Sequence, residues 1–291
     1  METQKKMNTK IKITADRILD LPKEQLDELE ISTMSVFVNI GEKSYEDMID
    51  ITLPQVFANM RETGKLAKTA AKSPEAYYEF FKQFENTHGA VIHFAAASGT
   101  SAICSHAIEA SKRLKNVYVM DTRTLSCGIG MLVEYAVELV RGGETDPQKI
   151  LELCQAKRQK LQFSFLIDTL ECLHKGGRCS ALKYGIAKLL KLKPVVTVDE
   201  KTALMSIREK FRGNLKKCLT DYIANTFKKF ANPDLDRLYI VATTRNPEFE
   251  QHIIDTVKLH HDFKAVKVLP AGCNAGVHSG PNTFGLCYFV K

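Results

Sequence analysis

Val91-Ile92-His93-Phe94-Ala95-Ala96-Ala97, followed at once by Ser98-Gly99-Thr100, is the stretch that decides the fold. A run that is apolar except for His93 makes a strand buried on both faces. The small residues after it end the strand and open a helix predicted over 101–114. Val117-Tyr118-Val119-Met120 then supplies a second strand. Strand, small-residue turn, helix and strand make the βαβ unit of a parallel sheet covered by helices. The alternation continues outward from this unit. Residues 11–14 and 33–40 read as strands, and a helix over 74–84 has Ser73 as its cap and Pro74 at its first position. Helices are predicted over 128–140 and 147–160. The second half opens on the apolar run 163–167. Strands at 194–198, 238–244, 265–269 and 283–290 then alternate with helices near 215–230 and 247–260. The reading is an α/β chain in two domains, 1–160 and 161–291, each a mainly parallel sheet flanked by helices.

Composition bounds what such a chain does. Its 291 residues are 44% hydrophobic and 26% charged, enough apolar side chain for a core in each of two domains. The net charge of +7 favours an anionic ligand or an acidic partner and does not argue for nucleic acid. The opening METQKKMNTKIKI lacks the apolar run of a secretory signal. No window reaches the roughly 18 apolar residues of a membrane span, so a cytoplasmic chain without integral membrane association is expected. Eight cysteines, at 104, 127, 154, 172, 179, 218, 273 and 287, include no CxxC pair and read as reduced, small apolar fillers. No metal or cofactor is expected. There is no HExxH, and neither GxGxxG nor GxxxxGK[ST] occurs.

Parallel sheets place ligands beyond the carboxyl ends of their strands. Asp16, the turn 98–100 and Asp121 all stand at such ends. Ser98-Gly99-Thr100 offers hydroxyls and backbone amides at a strand-to-helix turn, a device that suits an anion. Thr69 precedes the helix capped by Ser73 and has no capping duty of its own. His278 lies in a glycine-rich stretch, 271–281, read as a turn in which an imidazole reaches a carboxylate or phosphate, or simply meets solvent. Gly176-Gly177-Arg178 is read either as an anion-holding arginine beside a pliant backbone or as a helix-ending turn. His93 reads as a core histidine. A serine hydrolase would take Ser98 as nucleophile, His278 as base and Asp16 or Asp121 as acid, although Ala97-Ser98-Gly99-Thr100 lacks the GxSxG elbow.

In order and spacing these fragments resemble the DegV family of fatty-acid-binding proteins, from about Lys10 to Val290. Ala15-Asp16-Arg17-Ile18-Leu19-Asp20-Leu21-Pro22 is similar to the family's TDSTxDLP opening, and Tyr45-Glu46-Asp47 to its Tyr-x-Asp segment. Thr69-Ala70-Ala71-Lys72-Ser73 stands at the TSQPS-like loop and Ala97-Ser98-Gly99-Thr100-Ser101 at the LSGTY-like turn. Asp121 to Gly130 matches the DSxxxSxGxG-like segment. The block from Thr169 through Arg178 to Pro194 matches TLEYLxKGGRI…LLxIKP, and His278 to Gly285 the HTGPGxxG-like end. The resemblance implies one long-chain fatty acid held between two domains, its carboxylate bound by Thr69, Ser98, Gly99 and His278. It implies no catalysis by the chain itself. The bacterial partner would be a fatty acid kinase that phosphorylates the presented carboxylate for phospholipid synthesis, with Arg178, Arg212 and Lys216 as pocket or partner contacts. A Ser98/His278 hydrolase or acyltransferase acting on a lipid ester is the alternative. The chain departs from the pattern at Ala70-Ala71-Lys72, which brings a lysine toward the implied head group, and at Ala95-Ala96-Ala97.

Overall fold

The structure, a computed structural model, describes residues 10–177 and 192–291. The predicted βαβ unit is present. β1 (Ile11–Asp16), β2 (Ser32–Met34), β6 (Ala90–Ala95) and β7 (Val117–Asp121) form a parallel sheet in the order β2-β1-β6-β7. Helix α4 (Ile103–Ser111) makes the crossover between β6 and β7. Every residue of β6 is buried, as its near-continuous apolar run requires. His93 is fully buried there, its Nδ1 3.0 Å from Thr14 Oγ1 and its Nε2 3.3 Å from Asp16 Oδ1, which fits the reading of a core histidine.

The stretch 33–40, read as one strand, is two. The chain leaves the parallel sheet after Met34 and resumes as β3 (Phe37–Ile40) in a separate antiparallel sheet with β4 (Lys43–Glu46) and β5 (Lys68–Ala70). The tight turn at Gly41, with φ 60°, folds β4 back on β3, a pairing that the parallel sheet cannot offer. Helix α2 (Leu53–Thr63) follows, opened by a Thr52–Gln55 capping box, and α3 (Pro74–Glu85) starts on the expected Ser73 cap.

The C-terminal half carries six described strands: β8 (Leu161–Leu166), β9 (Lys193–Val198), β10 (Met205–Phe211), β11 (Arg237–Ala242), β12 (Ala265–Pro270) and β13 (Phe284–Phe289). Their order is β10-β9-β8-β13-β11-β12. The expectation of a mainly parallel second sheet is corrected here, because only β11 and β12 run parallel. The short turn after β9 admits only a hairpin to β10, and β13 inserts between β8 and β11 against the direction of both.

Alternation along these strands builds two cores. Leu166, Leu238, Ile240, Leu286 and Tyr288 face α8 (Leu215–Lys229) and α9 (Pro247–His260). Phe163, Phe165, Tyr239, Val241, Cys287 and Phe289 face the other way, into a core continuous with the N-terminal half. There α5 (Cys127–Arg141) packs on both β1 and β13. Its buried Glu134 accepts from Tyr239 at 2.7 Å and meets Arg237 at 3.2 Å. The two halves therefore share one hydrophobic core rather than touching through a wet interface.

Candidate functional site

The loops beyond the carboxyl ends of β1, β6 and β7 converge on the inward face of the second sheet and line a cavity between the halves. Ile18, Ile103 and Leu125 from the N-terminal half meet Phe163, Phe165, Leu173, Met205 and Val241 from the C-terminal half. The two rings of β8 lie 5.8 Å apart because residues two apart on a strand share a face.

Hydroxyl groups also line the wall, and most are already committed. Thr243 Oγ1 donates to Gly280 O at 2.8 Å, Ser279 Oγ to Ala275 O at 2.7 Å and Thr283 Oγ1 to Ser279 O at 3.0 Å. Thr100 Oγ1 donates to Ala97 O at 2.8 Å, and Ser126 Oγ donates to Asp20 Oδ2. Their hydroxyl protons are therefore not free for a ligand. Ser101 Oγ accepts from Ile103 N at 3.2 Å, which leaves its proton to give. At another point of the wall Thr69 Oγ1 and His278 Nε2 share a hydrogen bond of 2.8 Å. The result is an apolar cavity with a small polar patch built from both halves.

Sequence reasoning placed Thr69, Ser98, Gly99 and His278 together. The fold brings Thr69 and His278 into contact, 209 residues apart in the chain. Ser98 is exposed and not part of the lining. Its Oγ donates to Asp121 Oδ2 at 2.6 Å and its amide to Asp121 Oδ1 at 3.2 Å. The next residues of its turn, Thr100 and Ser101, line the cavity instead. Gly99 sits where the β9–β10 turn crosses the N-terminal half, and a Cβ there would lie 2.7 Å from the carbonyl group of Ala203. The hydrolase arrangement is not assembled. Ser98 is bonded to Asp121, no hydrogen bond joins it to His278 among the described residues, and Asp16 is buried under Tyr77, His93 and the Ala96 amide.

His278 occupies a helix, α10 (Cys273–Ser279), where a turn was expected. Gly276 allows that helix to lie against α2, for a Cβ there would come within 2.2 Å of Leu53 Cδ1. Its first turn is held by carboxylates from the other half. Asp20 Oδ1 accepts from Gly272 N, and the two oxygens of Asp47 accept from Cys273 N and Asn274 N, all at 2.8 Å. Burial pushes the Asp20 carboxyl up to about 7, against the opposing effect of bonds from Ser126 and Gly272, and it also raises Asp47. Asp20, Asp47, Ser126 and Ser101 lie in segments that match the family's pattern but were given no role from sequence. The one local signal at Ser126 is conformational: it takes φ 55°, a region that a β-carbon resists.

Lys72 does not enter the cavity. Its ammonium lies 2.5 Å from Glu46 Oε1 and 3.7 Å from the centre of the Phe37 ring. Lys72 and Ser35 together hold the Glu46 carboxyl below its usual range. The pair Gly176-Gly177 ends helix α7 (Glu171–Lys175), with Gly177 at φ 69°, while Arg178 lies outside the described residues. Arg212 is exposed, and exposed Lys216 lies 3.3 Å from Glu248 Oε1. Neither lines the cavity. Seven of the eight cysteines fall among the described residues and all seven are buried, with the Cys104 and Cys154 thiols pushed up to about 12 by burial. They are poor nucleophiles. Cys179 lies outside the described residues.

A two-domain α/β fold closed around an apolar cavity with a small polar patch defines the class. The family model described as "Uncharacterised protein, DegV family" matches residues 10–291, and the chain belongs to the DegV family. A DegV domain-containing protein of Caldanaerobacter subterraneus is 27% identical over 286 residues, covering 97% of this chain and 99% of that protein. Among solved structures, one described as fatty acid binding of a DegV family protein from Thermus thermophilus superposes with a TM-score of 0.88 at 24% identity, covering 97% of this chain and all of that one. Another, a stearic acid-binding protein from Eubacterium ventriosum, gives 0.84 at 22% identity, covering 97% and 98%.

Proposed function

We propose that the chain binds one long-chain fatty acid in the cavity between its halves, with the carboxylate at the Thr69–His278 pair. The observation that carries this reading is the division of the wall. Among the described lining residues the hydroxyls are spent on backbone or carboxylate partners except those of Ser101 and of Thr69, which pairs with His278, and apart from Asn274 the remaining lining side chains are apolar. Structural relatives described as binding fatty acids support the same reading. Burying an acyl tail contributes about 0.8 kcal/mol per methylene, so fourteen methylenes give on the order of 11 kcal/mol before ordering costs. The tail supplies affinity and the few polar groups supply orientation. Ser98 must exchange its bond to Asp121 before it can serve a carboxylate. Thr69 and His278 are therefore the leading contacts, and Ser98 and Gly99 the secondary ones.

On this reading the chain is a carrier rather than a catalyst. It acts in the cytoplasm and presents the carboxylate to a fatty acid kinase, which forms an acyl phosphate for phospholipid synthesis. Arg212 and Lys216 offer an exposed basic surface to such a partner, and the domains divide near residue 160. Among the described residues no helix is long and apolar enough to cross a membrane. Displacement of a fluorescent acyl probe tests the binding reading. Wild-type protein is expected to bind the probe saturably and release it to oleate. Thr69→Ala and His278→Ala are each expected to weaken fatty acid about ten- to a hundredfold, the effect of a hydrogen bond to a charged group of about 1.5–3 kcal/mol. Full affinity in the double variant would remove the carboxylate from this patch.

A further inference from the structure

The helix that carries His278 is short, and Gly272 provides no side-chain cap for it. Its three leading amides are instead taken by two buried carboxylates of the N-terminal half, Asp20 and Asp47. The fit at Gly272 is close, since a Cβ there would lie 3.0 Å from Asp20 Oδ1. The second oxygen of Asp20 receives the hydroxyl of Ser126, a residue of the N-terminal half that lines the cavity. One carboxylate thus joins the two halves, and its neighbour fixes the helix axis. We infer that Asp20 and Asp47 are positioning residues for the head-group patch: they seat helix α10 across the two halves and so set where His278 meets Thr69. The inference rests on the proposed binding of a carboxylate by that pair.

The seating responds to pH. The titratable and charged groups that face Asp20 are Asp47, Arg17 and the Cys273 thiol, which burial and Asp47 hold in its protonated form. Arg17, whose guanidinium donates to Leu21 O at 3.1 Å, favours the ionised form of both aspartates, and Asp47 opposes ionisation of Asp20. With its carboxyl raised to about 7, Asp20 binds a proton more tightly when the helix is seated than when the site opens to water. An exposed aspartate titrates near about 3.9. Closure is therefore strengthened as pH falls through 7 and weakened above it. Between pH 8 and pH 6 the linkage amounts to about tenfold in the closing equilibrium. A neutral Asp20 keeps both contacts, accepting from Gly272 and donating to Ser126. Asp20→Asn has the same pair of groups to offer.

The test compares wild-type, Asp20→Asn and Asp47→Asn proteins at pH 6, 7 and 8. It uses a fluorescent fatty acid and a fatty alcohol of equal chain length, with thermal unfolding of the ligand-free proteins alongside. The ratio of wild-type to Asp20→Asn affinity is expected to change about tenfold from pH 6 to pH 8, with the variant binding more tightly at pH 8. The ligand-free unfolding temperatures should diverge in the same sense. Asp47→Asn, left with one acceptor for two amides, is expected to lose the preference for acid over alcohol while it still binds the alcohol. A constant ratio across pH, an Asp20→Asn protein that does not fold, or equal losses of acid and alcohol in Asp47→Asn would each overturn the inference. Wild-type protein that takes up neither probe would instead contradict the proposed function, and the ligand-free unfolding comparison would still decide the clasp.

Discussion

Thr69 and His278 meet through one 2.8 Å hydrogen bond, and each residue brings something the other cannot. The hydroxyl supplies a rotatable donor or acceptor, and the imidazole a ring nitrogen that donates or accepts according to its tautomer. Neither is a buried fixed charge, so a carboxylate held there keeps its own charge available to a second protein. Lys72 shows what a fixed charge does nearby. It is drawn to Glu46 and the Phe37 ring, and Lys72→Ala is expected to leave affinity for a fatty acid within about twofold in a titration. Its effect belongs to stability. The Glu46 carboxyl is depressed by Lys72, so the pair contributes above the ordinary glutamate range and the contribution fades as pH falls through the depressed value. The gap in unfolding temperature between wild-type and Lys72→Ala protein is therefore expected to narrow below about pH 4. A gap that widens on acidification would contradict the ion pair.

The elements differ in how far their own sequence announces them. Strand β6 was legible because both its faces are buried and its apolar run is interrupted only by His93, and β1 and β7 by the shorter apolar stretches on either side of it. The Pro247–His260 helix was legible to the residue, bounded by an Asn246 cap and Pro247 at its first position. Edge strand β10, Met-Ser-Ile-Arg-Glu-Lys-Phe, was not, since its half-exposed, charged residues carry no apolar run and its existence depends on pairing with β9. Helix α10 escaped for a different reason. The carboxylates that cap its first turn lie 252 and 226 residues away in the chain, so nothing in the helix's own sequence announces them, although Asp20 and Asp47 each stand in a segment that matches the family's pattern. The site was half legible in consequence: Thr69 and His278 were named, whereas the residues that hold the histidine in place were not. Gly276→Ala tests the seat of that helix. The new methyl group has no room beside Leu53 and is expected to cost about 1–3 kcal/mol in denaturant unfolding, as overpacking does. Adding Leu53→Ala makes room and should recover part of the loss, a coupling that a double-mutant cycle reads directly. Strict additivity would place the two residues out of contact.

At the scale of the whole molecule, the second sheet is the component that makes a cavity possible. Its outer face is covered by α8 and α9, so its inner face, with Phe163, Phe165 and Val241, is free to serve as the floor beneath the N-terminal half. Replacing Phe163 or Phe165 with Ala is expected to deepen the floor and shift preference toward longer or more branched acyl chains in a competition assay. Unchanged preference would move the tail away from β8. Closure of both halves around one ligand also predicts linkage. A ligand bound only by the native state stabilises it by about 2.7 kcal/mol at a hundred times its dissociation constant, so oleate should raise the unfolding temperature in proportion to the logarithm of its concentration. The central claim is tested most directly by organic extraction of the purified wild-type protein followed by mass spectrometry. One equivalent of a long-chain fatty acid per chain, exchangeable for added oleate, is the result expected. Protein that yields no fatty acid and takes up none when oleate is supplied would contradict it.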